Sequence, residues 1–250
     1  MIVMNRQMTK RLTATAALAL GMAGLGVATA GEASAAQACE SWTTLKRYDT
    51  GAGVTELQKR LAGWVEYDDI MLVDGSYGPQ TQKAVARFQK AYGITVTAQE
   101  SGQAGTATIA KLRSLTDSDC TPINFTYAEV SKNCGKGFTG SASVKENLRR
   151  SMWQAQALRR QLGDKPLNVT SGFRDSACNS ASGGSSDSQH LTGRALDLVP
   201  TSGLTYCNIA RQARYAGYGG IKGPGYPGHS NHVHVDYWDA NTWKAPECGI

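Results

Sequence analysis

Ser188-Gln189-His190-Leu191-Thr192-Gly193-Arg194-Ala195-Leu196-Asp197 and, further on, His229-Ser230-Asn231-His232-Val233-His234 hold all 4 histidines of a 250-residue chain. Rings placed at random would not gather between positions 190 and 234. The stretch Ala195 to Val199 reads as a strand, and Val233 to Tyr237 as another. Residues two apart on a strand share a face, so His232 and His234 reach one site. His190 and Asp197 can meet only if the chain turns between them, which Gly193 permits. A histidine, an aspartate and a second histidine fill three positions around zinc and leave the fourth for water, as a catalytic site requires. Zinc lowers the pKa of that water to about 7, which yields a nucleophile at neutral pH.

Working outward, Leu167 to Ser171 reads as a further strand, and Tyr206 to Ala216 as a helix closed by Gly217. Ser143-x-x-Glu146 offers a capping box before Val144, Leu148, Met152, Ala155, Leu158 and Leu162, an amphipathic helix. Helices and strands mixed without regular βαβ alternation predict an α+β fold. Thr116 to Lys136 is rich in Thr, Ser, Asp, Asn and Gly and reads as a linker pinned by its cysteines. Before it, Val54, Leu57 and Leu61, then Ala84, Val85 and Phe88 behind Pro79, then Ile109 and Leu112, make three apolar stripes at helical spacing. This small three-helix unit repeats itself, because Gly75-x-x-Gly78-x-x-Thr81 recurs as Gly102-x-x-Gly105-x-x-Thr108.

The N-terminus has Arg6, Lys10 and Arg11, an apolar run from Ala14 to Ala30, and small residues at Ala33-Ser34-Ala35-Ala36. That order predicts a signal peptide over 1–36 and a mature chain starting near Gln37. No later segment approaches the roughly 18 apolar residues of a membrane span. Removing the signal peptide takes away three positive charges and Glu32, so the formal +6 becomes +4. A modest positive excess outside the cell favours anionic polymers such as a cell wall. No basic cluster is interleaved with aromatic residues, which argues against nucleic acid. All 6 cysteines follow the signal peptide, which predicts three disulfides with their pairing open. None has C-x-x-C spacing, so a metal would be held by histidine and carboxylate.

Two resemblances extend this reading. Leu57-Gln58, Val73-Asp74-Gly75-Ser76-Tyr77-Gly78-Pro79-x-Thr81 and Ala84-Val85-x-x-Phe88-Gln89 resemble the type 1 peptidoglycan-binding domain, a three-helix module that holds peptidoglycan. Ser188-x-His190-x-x-Gly193-x-Ala195-x-Asp197 with His232-x-His234, preceded by Ser171-Gly172-Phe173-Arg174, resembles the zinc D-alanyl-D-alanine carboxypeptidases, whose fold is shared with the hedgehog signalling domain. The likeness implies one zinc ion per chain on His190, Asp197 and His234, with Arg174 stabilising the oxyanion or gripping a substrate carboxylate. Ser188 and His229 are the expected substrate contacts. It also implies sequential disulfides, Cys39 to Cys120, Cys134 to Cys178 and Cys207 to Cys248. The family usually carries an acidic residue three positions before the last histidine ligand to take a proton from the zinc water. Here that position is Asn231, whose amide has no basic oxygen. His232 is the expected replacement as base or oxyanion partner, with His229 and Asp236 behind it.

The expected layout is a signal peptide (1–36), a peptidoglycan-binding domain (37–120) and a zinc peptidase domain (121–250). The expected protein is a secreted, cell-wall-associated monomer with peptidoglycan as partner and no membrane contact after signal removal. It would hydrolyse the D-Ala-D-Ala terminus of the stem peptide. Two alternatives stand beside this: an endopeptidase cutting L-Ala-D-Glu or the D-Ala crosslink, and an inactive zinc-bearing wall-binding protein.

Overall fold

A computed structural model of the chain describes residues 43–238 and 242–250. The expected signal peptide and Cys39 lie outside the described residues. Helices α1 (Ala52–Arg60), α2 (Pro79–Ala91) and α3 (Thr106–Ser114) form the expected three-helix unit. Pro79 opens α2, where its fixed φ suits the first turn and its missing N–H leaves nothing unpaired. Leu57, Leu61, Trp64, Val85, Phe88 and Leu112 close into one core.

The internal repeat has a physical cause. On α1, Gln58 donates from Nε2 to Thr81 Oγ1 at 3.1 Å and accepts at Oε1 from the Gly75 N–H at 2.9 Å. On α2, Gln89 donates to Thr108 Oγ1 at 2.9 Å and accepts from the Gly102 N–H at 3.0 Å. Gly75 and Gly102 have φ of +73° and +77°, the left-handed region open to glycine at low cost. Each glycine-to-threonine spacing therefore spans the two ends of a clamp around a buried glutamine.

Beyond the three-helix unit come α4 (Tyr127–Val130), the long α5 (Ala142–Gln161), β1 (Leu167–Ser171), α6 (Ser176–Ala181), β2 (Ala195–Pro200), α7 (Tyr206–Ala213), β3 (Gly220–Lys222), β4 (Val233–Asp236) and β5 (Thr242–Lys244). The strands form one sheet in the order β1-β2-β4-β3-β5, antiparallel except for the parallel β3 and β5. The α+β expectation holds. Leu196, Leu198, Ile221, Val233 and Val235 turn one face of the sheet into a core against α5 and α7. By strand alternation Asp197, Lys222, His234 and Asp236 face the other way.

Two strands were not foreseen, and three local expectations need correction. Strands β3 and β5 have three residues each, too few to show a period. Helix α7 ends at Ala213, and the chain turns before Gly217 at φ +74°. The N-cap of α5 is Ser141, whose hydroxyl accepts from the Val144 N–H; Glu146 instead pairs with Arg149 and Lys59. The segment read as a linker is part of the folded body. Phe125 and Val130 lie in the sheet's core, and Asn133 is buried. Its polar residues serve as caps and turns, as Thr126 does for α4, and composition alone cannot tell such a segment from a linker.

Helix α5 joins both halves of the molecule. Its Leu148, Met152, Ala155 and Leu158 enter the core beneath the sheet, while Trp153 and Ala157 enter that of the three-helix unit. Arg149 of α5 pairs with Glu56 of α1 through both guanidinium Nη atoms, at 2.5 and 2.7 Å. Gly63 lies so close that a Cβ there would come within 2.4 Å of the Ala157 Cβ. Disulfides Cys134–Cys178 and Cys207–Cys248 match the pairing implied by resemblance. Cys120 is disulfide-bonded, and its expected partner Cys39 is outside the described residues.

Candidate active site

Strand pairing brings the candidate ligands together. Asp197 of β2 lies in register with His234 of β4, and directly opposed residues present their side chains on the same face. His190 arrives from a 3-10 turn, Gln189–Thr192, that ends at Gly193 with φ +71°. A side chain at Gly193 would be strained by that φ and would bring its Cβ within 2.5 Å of the Val144 carbonyl oxygen. The turn foreseen at this glycine is therefore fixed twice over.

His190 Nε2 lies 3.2 Å from Asp197 Oδ1 and 3.2 Å from His234 Nδ1, and the third edge of this triangle is 3.1 Å. The far nitrogen of each ring is already committed. His190 Nδ1 donates to the Gly172 carbonyl, and His234 Nε2 donates to Asp236 Oδ2 at 2.9 Å. Both partners are acceptors only, so each proton sits on the outer nitrogen and a lone pair faces inward. With both rings neutral, three lone-pair atoms thus converge on one point. Ligands held tetrahedrally about 2.0–2.1 Å from zinc are roughly 3.3 Å apart, close to the edges observed. Histidine ligands oriented by a carbonyl and a carboxylate are the usual support of a metal site. The donor set fits a metal ion, and His190, Asp197 and His234 are the His/Cys/Asp/Glu group close enough to hold one among the described residues.

Electrostatics agree with a cation at this point. Burial pushes the Asp197 carboxyl up, but His190 and His234 outweigh it and hold the group well below the usual carboxylate range. Burial lowers His190, with Asp197 opposing. For His234 burial also acts downward, yet hydrogen bonds to Asp197 and Asp236 prevail and raise it. Gly220, in register with Asp236, gives that carboxylate its room, since a Cβ there would sit 2.2 Å from Asp236 Oδ2.

The triangle opens onto a cleft of about 800 Å³, lined by Arg174, Ser188, His229, His232 and the exposed Ser182–Asp187 rim. Arg174 leaves the end of β1 and places Nη2 3.6 Å from Asp197 Oδ2, while its buried Nε has no hydrogen-bond partner. His232 Nε2 is 3.7 Å from Asp197 Oδ1. Its Nδ1 donates to Asn231 Oδ1 at 2.8 Å, which leaves Nε2 unprotonated and turned toward the cluster. Burial, with the charges of His234 and Arg174, lowers the His232 pKa. His229 packs 4.8 Å from the His232 ring and bonds through Nδ1 to the Pro227 carbonyl. Ser188 borders the cleft at the start of the His190 turn.

Two expectations change here. Asn231 is exposed and does not line the cleft; its amide reaches behind His232 to the outer nitrogen. Asp236 is not free to act as a base, because it holds His234 and accepts from the Trp238 N–H at 3.1 Å. Its spacing from His234, two residues along a strand, was the signal for that supporting role.

Two histidines and a carboxylate that leave one coordination position open are a donor set of catalytic zinc proteins. Comparison with known proteins narrows the class. Residues 123–236 match the Peptidase M15 family, and residues 50–112 match a peptidoglycan binding domain family. The chain is 42% identical over 224 residues to the zinc D-Ala-D-Ala carboxypeptidase of Streptomyces albus G, covering 88% of this chain and 86% of that one. It is also 37% identical over 121 residues to a Kitasatospora aureofaciens protein described as "Uncharacterized protein in bpoA1 3'region", covering 45% of this chain and 98% of that one. The chain belongs to the M15 peptidases.

Proposed function

We propose that this protein is a secreted zinc D-Ala-D-Ala carboxypeptidase that docks on peptidoglycan and removes the terminal D-alanine of the stem peptide. The observation that carries the reading is the triangle of three inward lone pairs, each ring oriented from behind, at the floor of an open cleft. The match of residues 50–112 to a peptidoglycan binding family supports the wall as partner. The reading includes export by a signal peptide at 1–36. Residues 37–120 would carry wall binding and 121–250 the chemistry, in a monomer.

His190 through Nε2, Asp197 through Oδ1 and His234 through Nδ1 would hold the zinc ion. When bound, the ion polarises the scissile carbonyl and lowers the pKa of a water molecule to about 7. The protein's own groups handle the remaining tasks. His232 accepts the water proton at Nε2 while Asn231 keeps the other ring proton in place. The same nitrogen returns the proton to the departing amine as the C–N bond breaks. Arg174 meets the negative charge that builds on the carbonyl oxygen; its unpaired, desolvated Nε–H is available for that contact. His229 and Ser188 line the approach and contact the peptide.

Mass spectrometry of soluble products from intact peptidoglycan incubated with residues 37–250, with and without a zinc chelator, tests the proposal. Chelator-sensitive release of free D-alanine is expected. Shortened stems or split crosslinks would keep the metal site and change the bond. Sedimentation with the wall and no product would leave a binding protein on a peptidase fold.

A further inference from the structure

A row of side chains crosses the sheet at the level of the candidate metal ligands. Strand register places Ser171 beside Asp197, Asp197 beside His234, His234 beside Lys222, and Lys222 beside Lys244. Opposed residues on neighbouring strands share a face, and Lys222 accordingly lines the same cleft as Asp197 and His234. Its Nζ lies 5.9 Å from the Tyr226 ring, which packs 5.3 Å from His229. The cluster thus has a cation on each side, Arg174 beyond β1 and Lys222 on β3.

The two cations are placed for different tasks. Arg174 has a carboxylate partner, Asp197, itself a candidate metal ligand, and is largely desolvated. Lys222 forms no ion pair among the described residues. Asp187 also lines the cleft and feels the Lys222 charge, but its carboxylate takes the Ser185 hydroxyl. A half-buried ammonium group at the edge of a reaction cleft, held to no anion, suits an anion on the substrate.

We propose that Lys222 binds the free α-carboxylate of the substrate's last residue and so makes the enzyme cut at a chain end rather than within a chain. The inference rests on the peptidase reading above. In a carboxypeptidase substrate the carboxylate trails the scissile carbonyl by one residue, about 3.8 Å between Cα atoms. Neighbouring strands are about 4.8 Å apart. With the scissile carbonyl over the ligands on β2 and β4 and the peptide's end running toward β3, the carboxylate comes over β3, where Lys222 stands. Arg174, on the far side, remains for the oxyanion. A compact point charge such as ammonium suits a carboxylate that moves as the leaving group departs.

The test uses residues 37–250 with zinc, an acylated peptide ending in D-Ala-D-Ala, and the same peptide as its C-terminal amide. Steady-state kinetics are measured for the natural chain, Lys222→Met and Lys222→Arg, with zinc content measured on each and both peptides titrated calorimetrically. The natural chain should prefer the acid. Lys222→Met should raise KM for the acid by about tenfold or more, with kcat nearly unchanged, amide kinetics unaltered and zinc content full. Lys222→Arg should restore most of the preference. An acid-to-amide ratio that survives in Lys222→Met overturns the Lys222 assignment and leaves the peptidase reading standing. If the natural chain hydrolyses neither peptide yet binds the acid more tightly in a Lys222-dependent way, the peptidase reading falls and the carboxylate site stands. Absence of both hydrolysis and acid preference overturns both.

Discussion

Two buried polar clusters among the described residues stand in contrast. In the three-helix unit, Gln58 and Gln89 each meet a donor with an acceptor and an acceptor with a donor, so their buried amides are paired at both ends. Beside the sheet, His190, Asp197 and His234, with both rings neutral, turn three acceptors toward one point. A satisfied cluster holds a fold together, whereas a convergent unsatisfied one costs stability unless a cation fills it. Burial is similar in the two places. What separates structure from chemistry is whether the lone pairs are answered from within the chain.

Breaking the unsatisfied cluster should have the largest effect. His190→Ala is expected to abolish both zinc retention, by elemental analysis, and D-alanine release; full activity without metal would sink the assignment. Next comes His232→Ala, which should keep zinc and lower kcat by about 10² to 10⁴. Asn231→Asp sharpens that result. Because residue 231 reaches the outer nitrogen of His232 and not the cleft, the new carboxylate should raise kcat by much less than the ~10²-fold that a missing base costs. A gain of that size would show that an acid at 231 reaches the reaction directly.

The satisfied cluster should respond in stability alone. Gln89→Ala leaves the Gly102 N–H and Thr108 without their partner, so urea unfolding should show a loss of about 1 to 3 kcal/mol, with kcat unchanged. The smallest effect is expected at the seam between α1 and α5. Burial works against ionisation of Glu146, but hydrogen bonds and charge from Arg149 and Lys59 prevail and lower its pKa to about 2. A depressed carboxylate contributes stability that is fully present above its unfolded pKa, about 4.3, and is lost as pH falls through the folded value. Melting temperature should therefore fall between those limits, with a shallower slope in Glu146→Gln.

Much of this was legible because strand period and side-chain chemistry are local properties. His190, Asp197 and His234 stood out as a set of metal-ligand types around a glycine turn, and the two Gly-to-Thr spacings marked a repeat before its glutamine clamps were visible. Strands β3 and β5 were hidden because three residues carry no period. The segment 116–136 was mistaken for a linker because caps and turns use the same residues as linkers. Lys222 gave no signal in the sequence, being one lysine among many.

The sequence by itself determined the fold class and the three-helix unit, which rest on residue types at short spacing, and its motifs pointed by resemblance to the family and to the candidate ligands. Tertiary structure decided that Asp236 supports His234, that Asn231 fixes the tautomer of His232, and that Lys222 joins Asp197 and His234 in one row. The first two are contacts between near neighbours whose ring orientation only the folded chain sets, while the row depends on strand order and register, which pairing brings together from segments far apart in the chain.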